Sequence, residues 1–70
     1  MRVGKRQADV YETAPGIYEV REQGTGLVLA RLVDQYDGWF VGARDGGPRR
    51  ELYQPDGDTE RAIVRLLTGP

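Results

Sequence analysis

Two short stretches carry the residues best suited to chemistry. Asp56-Gly57-Asp58-Thr59-Glu60 brings three carboxylates together, with Asp45 a turn upstream, and Arg44, Arg49 and Arg50 crowd around Asp45-Gly46-Gly47-Pro48. Closely spaced carboxylates can hold a hard cation or work as an acid–base pair. A calcium loop, however, needs oxygen ligands spread over a twelve-residue pattern, and Asp56–Glu60 supplies only fragments of it. Helix capping and turn formation account for these residues more simply. The arginines could grip phosphates, assisted by Arg2, Lys5 and Arg6 near the N-terminus. A solvated edge strand is the plainer reading of Arg49 and Arg50.

What is missing narrows the chemistry. The sequence has no His and no Cys, and Ser does not occur in it. Imidazole or thiolate dyads, the usual zinc ligand sets and the commonest hydroxyl nucleophile are therefore out of reach. Seventy residues leave little room for a substrate cleft beside a core. The expectation is a protein without enzymatic activity, cofactor or metal. Gly24-Thr25-Gly26 lacks the lysine and the following helix of a phosphate-binding loop, and reads as a flexible turn.

The formal charge is −1, which gives little long-range attraction for nucleic acid. Its distribution is uneven. Arg2, Lys5 and Arg6 against Asp9 make the N-terminus basic, whereas Glu12, Glu19, Glu22, Asp34 and Asp37 outweigh Arg21 and Arg31 in the middle. No apolar run follows the N-terminal basics as in a signal peptide, and none is long enough to span a bilayer. A cytoplasmic location with no membrane partner is the default.

The elements that must position these residues follow from periodicity. Residues 1–9 show none and are expected to form a flexible basic arm, with residues 10–70 as one small domain. Val10–Glu12 is either a short strand or the chain's approach to the sheet, ended by the Pro15-Gly16 turn. Ile17–Glu22 alternates as a half-buried strand, with Tyr18 and Val20 inward. Leu27–Asp34 is apolar on both faces, as in a central strand. Asp37-Gly38 marks a hairpin into Trp39–Arg44, where Trp39 and Phe40 point to opposite faces. Core packing is the first reading of Trp39. Gly42 marks a bulge or a close backbone approach, and Arg49–Gln54 a short charged edge strand.

Asp58 has the chemistry of an N-cap, with Glu60 in the first helical turn. Ala62, Ile63, Leu66 and Leu67 form an apolar stripe, and Gly69 stands where a C-cap glycine belongs. The fold class expected is α+β: a small antiparallel three- or four-stranded meander packed against one C-terminal helix.

In order of elements, Ile17 to Leu67 resembles small three-stranded-sheet-plus-helix DNA-binding modules, such as phage integrase arm-binding domains and the plant AP2 domain. The GIYEV and DGWFV segments are similar to their aromatic strand beginnings, and ERAIVRLL to their packing helix. The resemblance implies DNA binding through the sheet, but Glu19, Glu22, Asp34 and Asp37 stand where a basic reading surface belongs.

One short helix cannot cover two apolar sheet faces. The surplus, drawn from Leu27, Leu29, Tyr36, Phe40 and Tyr53, is the expected contact surface for a protein partner or a second copy. The leading expectation is therefore a noncatalytic interaction or accessory module, homodimeric in one form. The alternative is a DNA-binding accessory module using Arg44, Arg49 and Arg50 with Arg2, Lys5 and Arg6.

Overall fold

The computed structural model describes residues 1–69. Six strands and a helix follow one another: β1 (Arg2–Val3), β2 (Arg6–Ala14), β3 (Ile17–Glu22), β4 (Val28–Asp34), β5 (Trp39–Arg44), β6 (Arg50–Tyr53) and α1 (Thr59–Thr68). All six strands form one antiparallel meander in sequence order. The three- or four-stranded meander expected from sequence is thus corrected to a six-stranded sheet, while the α+β class and the closing helix stand.

The extra strands come from the N-terminal segment. Residues 1–9, read from sequence as an arm, lie as β1, a turn and the first part of β2. Met1 donates its ammonium to the Ala8 carbonyl at 2.7 Å, and the Ala8 amide donates back to the Met1 carbonyl at 2.8 Å. Only small or few side chains from this hairpin enter the core, with Val3 and Ala8 buried and Val10 packed beside them. Arg6, Gln7, Asp9, Tyr11 and Glu12 mask the apolar alternation on which strand recognition rests.

Two irregularities bend the sheet. Thr13 is an extra residue between the Glu12–Tyr18 and Ala14–Ile17 pairs. Leu29 is another, between Ala30–Val20 and Val28–Arg21, and it packs against the core. Bulges increase local twist and curl a sheet. Accordingly α1 touches β4, β5 and β6 on one side and β1 on the other. The sheet is a half-barrel with the helix in its concave side and a convex outer face.

Register decides what each face carries. Tyr18, Leu32 and Gly42 lie in one row across β3–β5, Val20 and Ala30 in the next, and Phe40 pairs with Leu52. Together with Ala62, Ile63 and Leu66 from α1, the apolar members of this concave face form the core. Gly42 is the point of closest approach, and the β4–β5 register is unbroken there. A Cβ on Gly42 would sit 2.5 Å from the Arg31 carbonyl oxygen and 3.1 Å from Leu66 Cδ2. The close-approach reading of this glycine holds, and no bulge is involved.

The helix begins as its sequence dictates. Asp58 accepts from the Arg61 amide at 3.1 Å as N-cap. Gly69 caps the other end, but with φ −70° and ψ 161°, so its value there is smallness and not left-handed freedom. An added Cβ would meet the Arg65 carbonyl oxygen at 2.5 Å. In the β4–β5 loop, the positive φ angles fall at Tyr36 (62°) and Gly38 (91°), not at Asp37.

Candidate interaction surface

The convex face is assembled by the same register. Ile17, Val33, Val41 and Glu51 lie in one row across β3–β6. Tyr11, Glu19, Arg31 and Ala43 form the next row across β2–β5, and Trp39 pairs with Tyr53 at one end. Among the described residues, no element packs over this face. Tyr11, Ile17, Val33, Trp39 and Tyr53 remain 44, 44, 40, 41 and 51% exposed. The Trp39 and Tyr53 rings are 4.9 Å apart and inclined at 44°, a geometry aromatic pairs favour.

Charge on this face is neutralised locally. Glu19 accepts from Arg21 at 2.6 Å and from Arg31 at 3.3 Å. The Arg21 hydrogen bond, reinforced by both guanidinium charges, holds the Glu19 carboxyl below its ordinary range. Arg21 also lies 4.7 Å above the Tyr11 ring, within cation–π range. Arg49 pairs with Glu51 at 3.5 Å. The carboxylates of Glu19 and Glu51 are thus held in ion pairs, and charges paired in this way suit a protein surface.

Sequence reasoning found only part of this surface. Of its five partner candidates, Tyr53 alone sits on the convex face. Phe40 is fully buried between sheet and helix, which corrects its assignment as a contact residue. Its neighbour Trp39, read first as core, occupies the surface instead. Leu27 and Tyr36 are exposed in loops, and Leu29 is half-buried behind the β4 bulge. The residues missed, Tyr11, Ile17, Val33 and Trp39, share a face with Glu19, Arg21 and Arg31. Strand parity could have grouped them, but the mixed composition of the odd positions concealed the pattern.

The basic candidates do not act as one cluster. Arg44 donates to the Gly69 carbonyl at 2.7 Å and Arg50 to the Leu66 carbonyl at 3.5 Å, placing both cations at the negative end of the helix dipole. Arg49 points elsewhere, to Glu51. Arg2 folds back onto the Gly4 carbonyl, and Arg6 pairs with Glu22 at 3.5 Å. Lys5 lies exposed in the β1–β2 turn. Lys5, Arg6 and Arg44 do share one feature with Leu27 and Leu29. They line a two-part groove beside the end of α1, with adjoining volumes of about 290 and 470 Å³.

The acidic stretch has a structural task. Asp56 accepts from the Asp58 amide, from Gln54 Nε2 and from Arg61, and these contacts, the Asp58 amide foremost, hold its carboxyl below the ordinary range. Gln54 is buried and satisfied, its Oε1 accepting from Arg65 at 3.1 Å. Among the described residues, no three acidic side chains are placed to share a metal ion. No helix among them is long and apolar enough to cross a membrane. No family model, curated protein or solved structure matches this chain.

Proposed function

We propose that this protein is a noncatalytic interaction module that docks a protein surface on the convex face of its sheet, self-association being the simplest form. The observation that carries this is the gathering of Tyr11, Ile17, Val33, Trp39 and Tyr53 onto one uncovered face by strand register. Exposed apolar patches of this kind mark contact sites in small soluble domains. The sheet edges are poor alternatives. β1 has two residues, and in β6 the Tyr53 carbonyl already accepts from Arg65. Convexity limits how much of two such faces can touch, so self-association is weak and reversible, in the class of interfaces below about 1,200 Å².

Trp39 is the sole tryptophan and reports directly on the face. Its emission should shift to the blue as protein concentration rises toward millimolar, and Val33→Glu should abolish the shift while leaving far-ultraviolet circular dichroism unchanged. Emission that is constant with concentration would contradict self-association.

DNA binding has one observation in its favour, the presence of Lys5, Arg6, Arg44 and Arg50 around the end of α1. Two of those four are engaged with helix carbonyls, which makes it the secondary reading. Duplex anisotropy at low salt separates the two. The protein-docking reading expects no salt-sensitive binding; salt-sensitive binding lost on changing Lys5 and Arg6, the two not engaged with helix carbonyls, to Ala would favour DNA.

A further inference from the structure

The groove beside the end of α1 differs in kind from the convex face. Its first part lies between the β1–β2 turn, Leu29 and the last turn of the helix; its second runs along Leu27–Leu29 to Arg44 and Asp45. Arg6, Leu29 and Leu67 line both parts, so the two are continuous. The floor is apolar, made by Val3, Leu29 and Leu67, and Leu27 extends it with a side chain that is 62% exposed. The rim is cationic: Lys5, Arg6 and Arg44 outnumber Asp45, the one carboxylate in the lining, and Glu22, which pairs with Arg6 beside it.

From this arrangement we infer that the groove binds a single-chain carboxylate amphiphile of the fatty-acid type, its tail along Leu29 and Leu67 and its headgroup at the Lys5–Arg6–Arg44 rim. Charge complementarity selects an anion over a neutral or cationic chain. The volume of each part falls near the lower end of the roughly 300–1,000 Å³ of small-molecule sites. An extended peptide would need main-chain partners along its length. The lining supplies a contiguous apolar strip, Val3, Leu27, Val28, Leu29 and Leu67, which an alkyl tail can use without hydrogen bonds, beside charged side chains for one polar end.

Arg44 can serve the headgroup without leaving the helix. One terminal nitrogen, Nη2, holds the Gly69 carbonyl, and a guanidinium carries five donors in a fixed fork. Arg6 is 63% exposed at its side chain and its contact with Glu22 is 3.5 Å, a surface pair of the kind that contributes little and exchanges readily. Lys5 lies in an exposed turn and is free to swing over the groove.

The test is a titration of the isotope-labelled protein with decanoate and, separately, decanol, both below their aggregation thresholds, followed by NMR. Decanoate should shift the methyl signals of Leu29 and Leu67 and the amides of Lys5 and Arg6, with affinity at least about tenfold above decanol, corresponding to ~1.4 kcal/mol. Lys5→Glu, in an exposed turn that tolerates the change, should weaken decanoate several-fold and leave decanol unaltered. Equal binding of the two probes, or shifts centred on Trp39 and Tyr53, would overturn the inference. Tighter binding of a short peptide ending in leucine would overturn the fatty-acid assignment. The outcome is independent of whether the convex face self-associates.

Discussion

Gly42 and Gln54 show how single residues set this fold. Gly42 lets the Leu66 side chain reach the sheet, and any Cβ there collides with the Arg31 carbonyl and with Leu32 Cδ1 at 2.8 Å. Gly42→Ala should therefore destabilise the protein by about 1–3 kcal/mol, the usual cost of overpacking, read from the urea midpoint. Gln54 joins β6, the loop before α1 and the helix itself. Its side chain bridges Arg65 and Asp56, its amide donates to the Gly38 carbonyl at 2.7 Å, and its carbonyl accepts from Gly57. Gln54→Ala leaves two polar side chains without this partner. A loss of about 1–3 kcal/mol is expected, and an unchanged midpoint would show the joint to be dispensable. Tyr36 is a different case: its φ of 62° is unusual for a residue with a side chain, and its ring lies over Gly16, where an added Cβ would meet the Tyr36 hydroxyl at 2.8 Å.

Among the elements, the helix was the most legible from sequence and the N-terminal hairpin the least. Asp58 and the Ala62-Ile63-Leu66 stripe do locally what their chemistry implies, and Gly69 ends the helix although in an extended conformation, so the α1 boundaries could be read directly. Asp58→Ala should cost about 0.5–2 kcal/mol through loss of the cap, measurable in the same denaturation series. Strands β3 to β6 were legible because their inward residues, Val20, Ala30, Leu32, Phe40 and Leu52, are apolar and separated by clear turns. β1 and the part of β2 before Val10 were hidden because their pairing depends on contacts with β3 and on the Met1–Ala8 bonds, which no local pattern encodes. The candidate surface failed in sequence for a related reason. Alternation shows that Trp39 and Phe40 face opposite ways, but which of them meets the helix is settled only by the register of the whole sheet and the position of Gly42.

The whole molecule is electrically polarised along its strands. Meander topology puts the β2–β3, β4–β5 and β6–α1 connections at one end, where Glu12, Asp34, Asp37, Asp56, Asp58 and Glu60 outnumber Arg61 and Arg65. The opposite end collects Lys5, Arg6, Arg44, Arg49 and Arg50 against Glu22 and Asp45. This complements the helix dipole at both termini and explains how a chain of net charge −1 offers a cationic groove. It also sets the pH response. Glu19 and Asp56 have folded-state carboxyls held below their ordinary values by hydrogen bonds and neighbouring arginines. Their contribution is complete above the unfolded values, about 3.9 for Asp and 4.3 for Glu, and is lost as pH falls through the lower folded values. At the alkaline end, burial raises the Tyr18 hydroxyl, so its contribution declines as pH rises above the unfolded value near about 10. Thermal midpoints across pH should show a plateau between these limits, and Glu19→Gln should flatten the acid slope; an unaltered slope would remove Glu19 from the account.

The convex face is the centre of the functional reading, and sedimentation velocity over increasing protein concentration tests it most directly. The structure's uncovered Ile17, Val33, Trp39 and Tyr53 predict a sedimentation coefficient that rises reversibly toward that of a dimer at high concentration, with Val33→Glu remaining monomeric and folded. A wild-type protein that sediments as a monomer throughout, or a Val33→Glu variant that dimerises equally well, would contradict it.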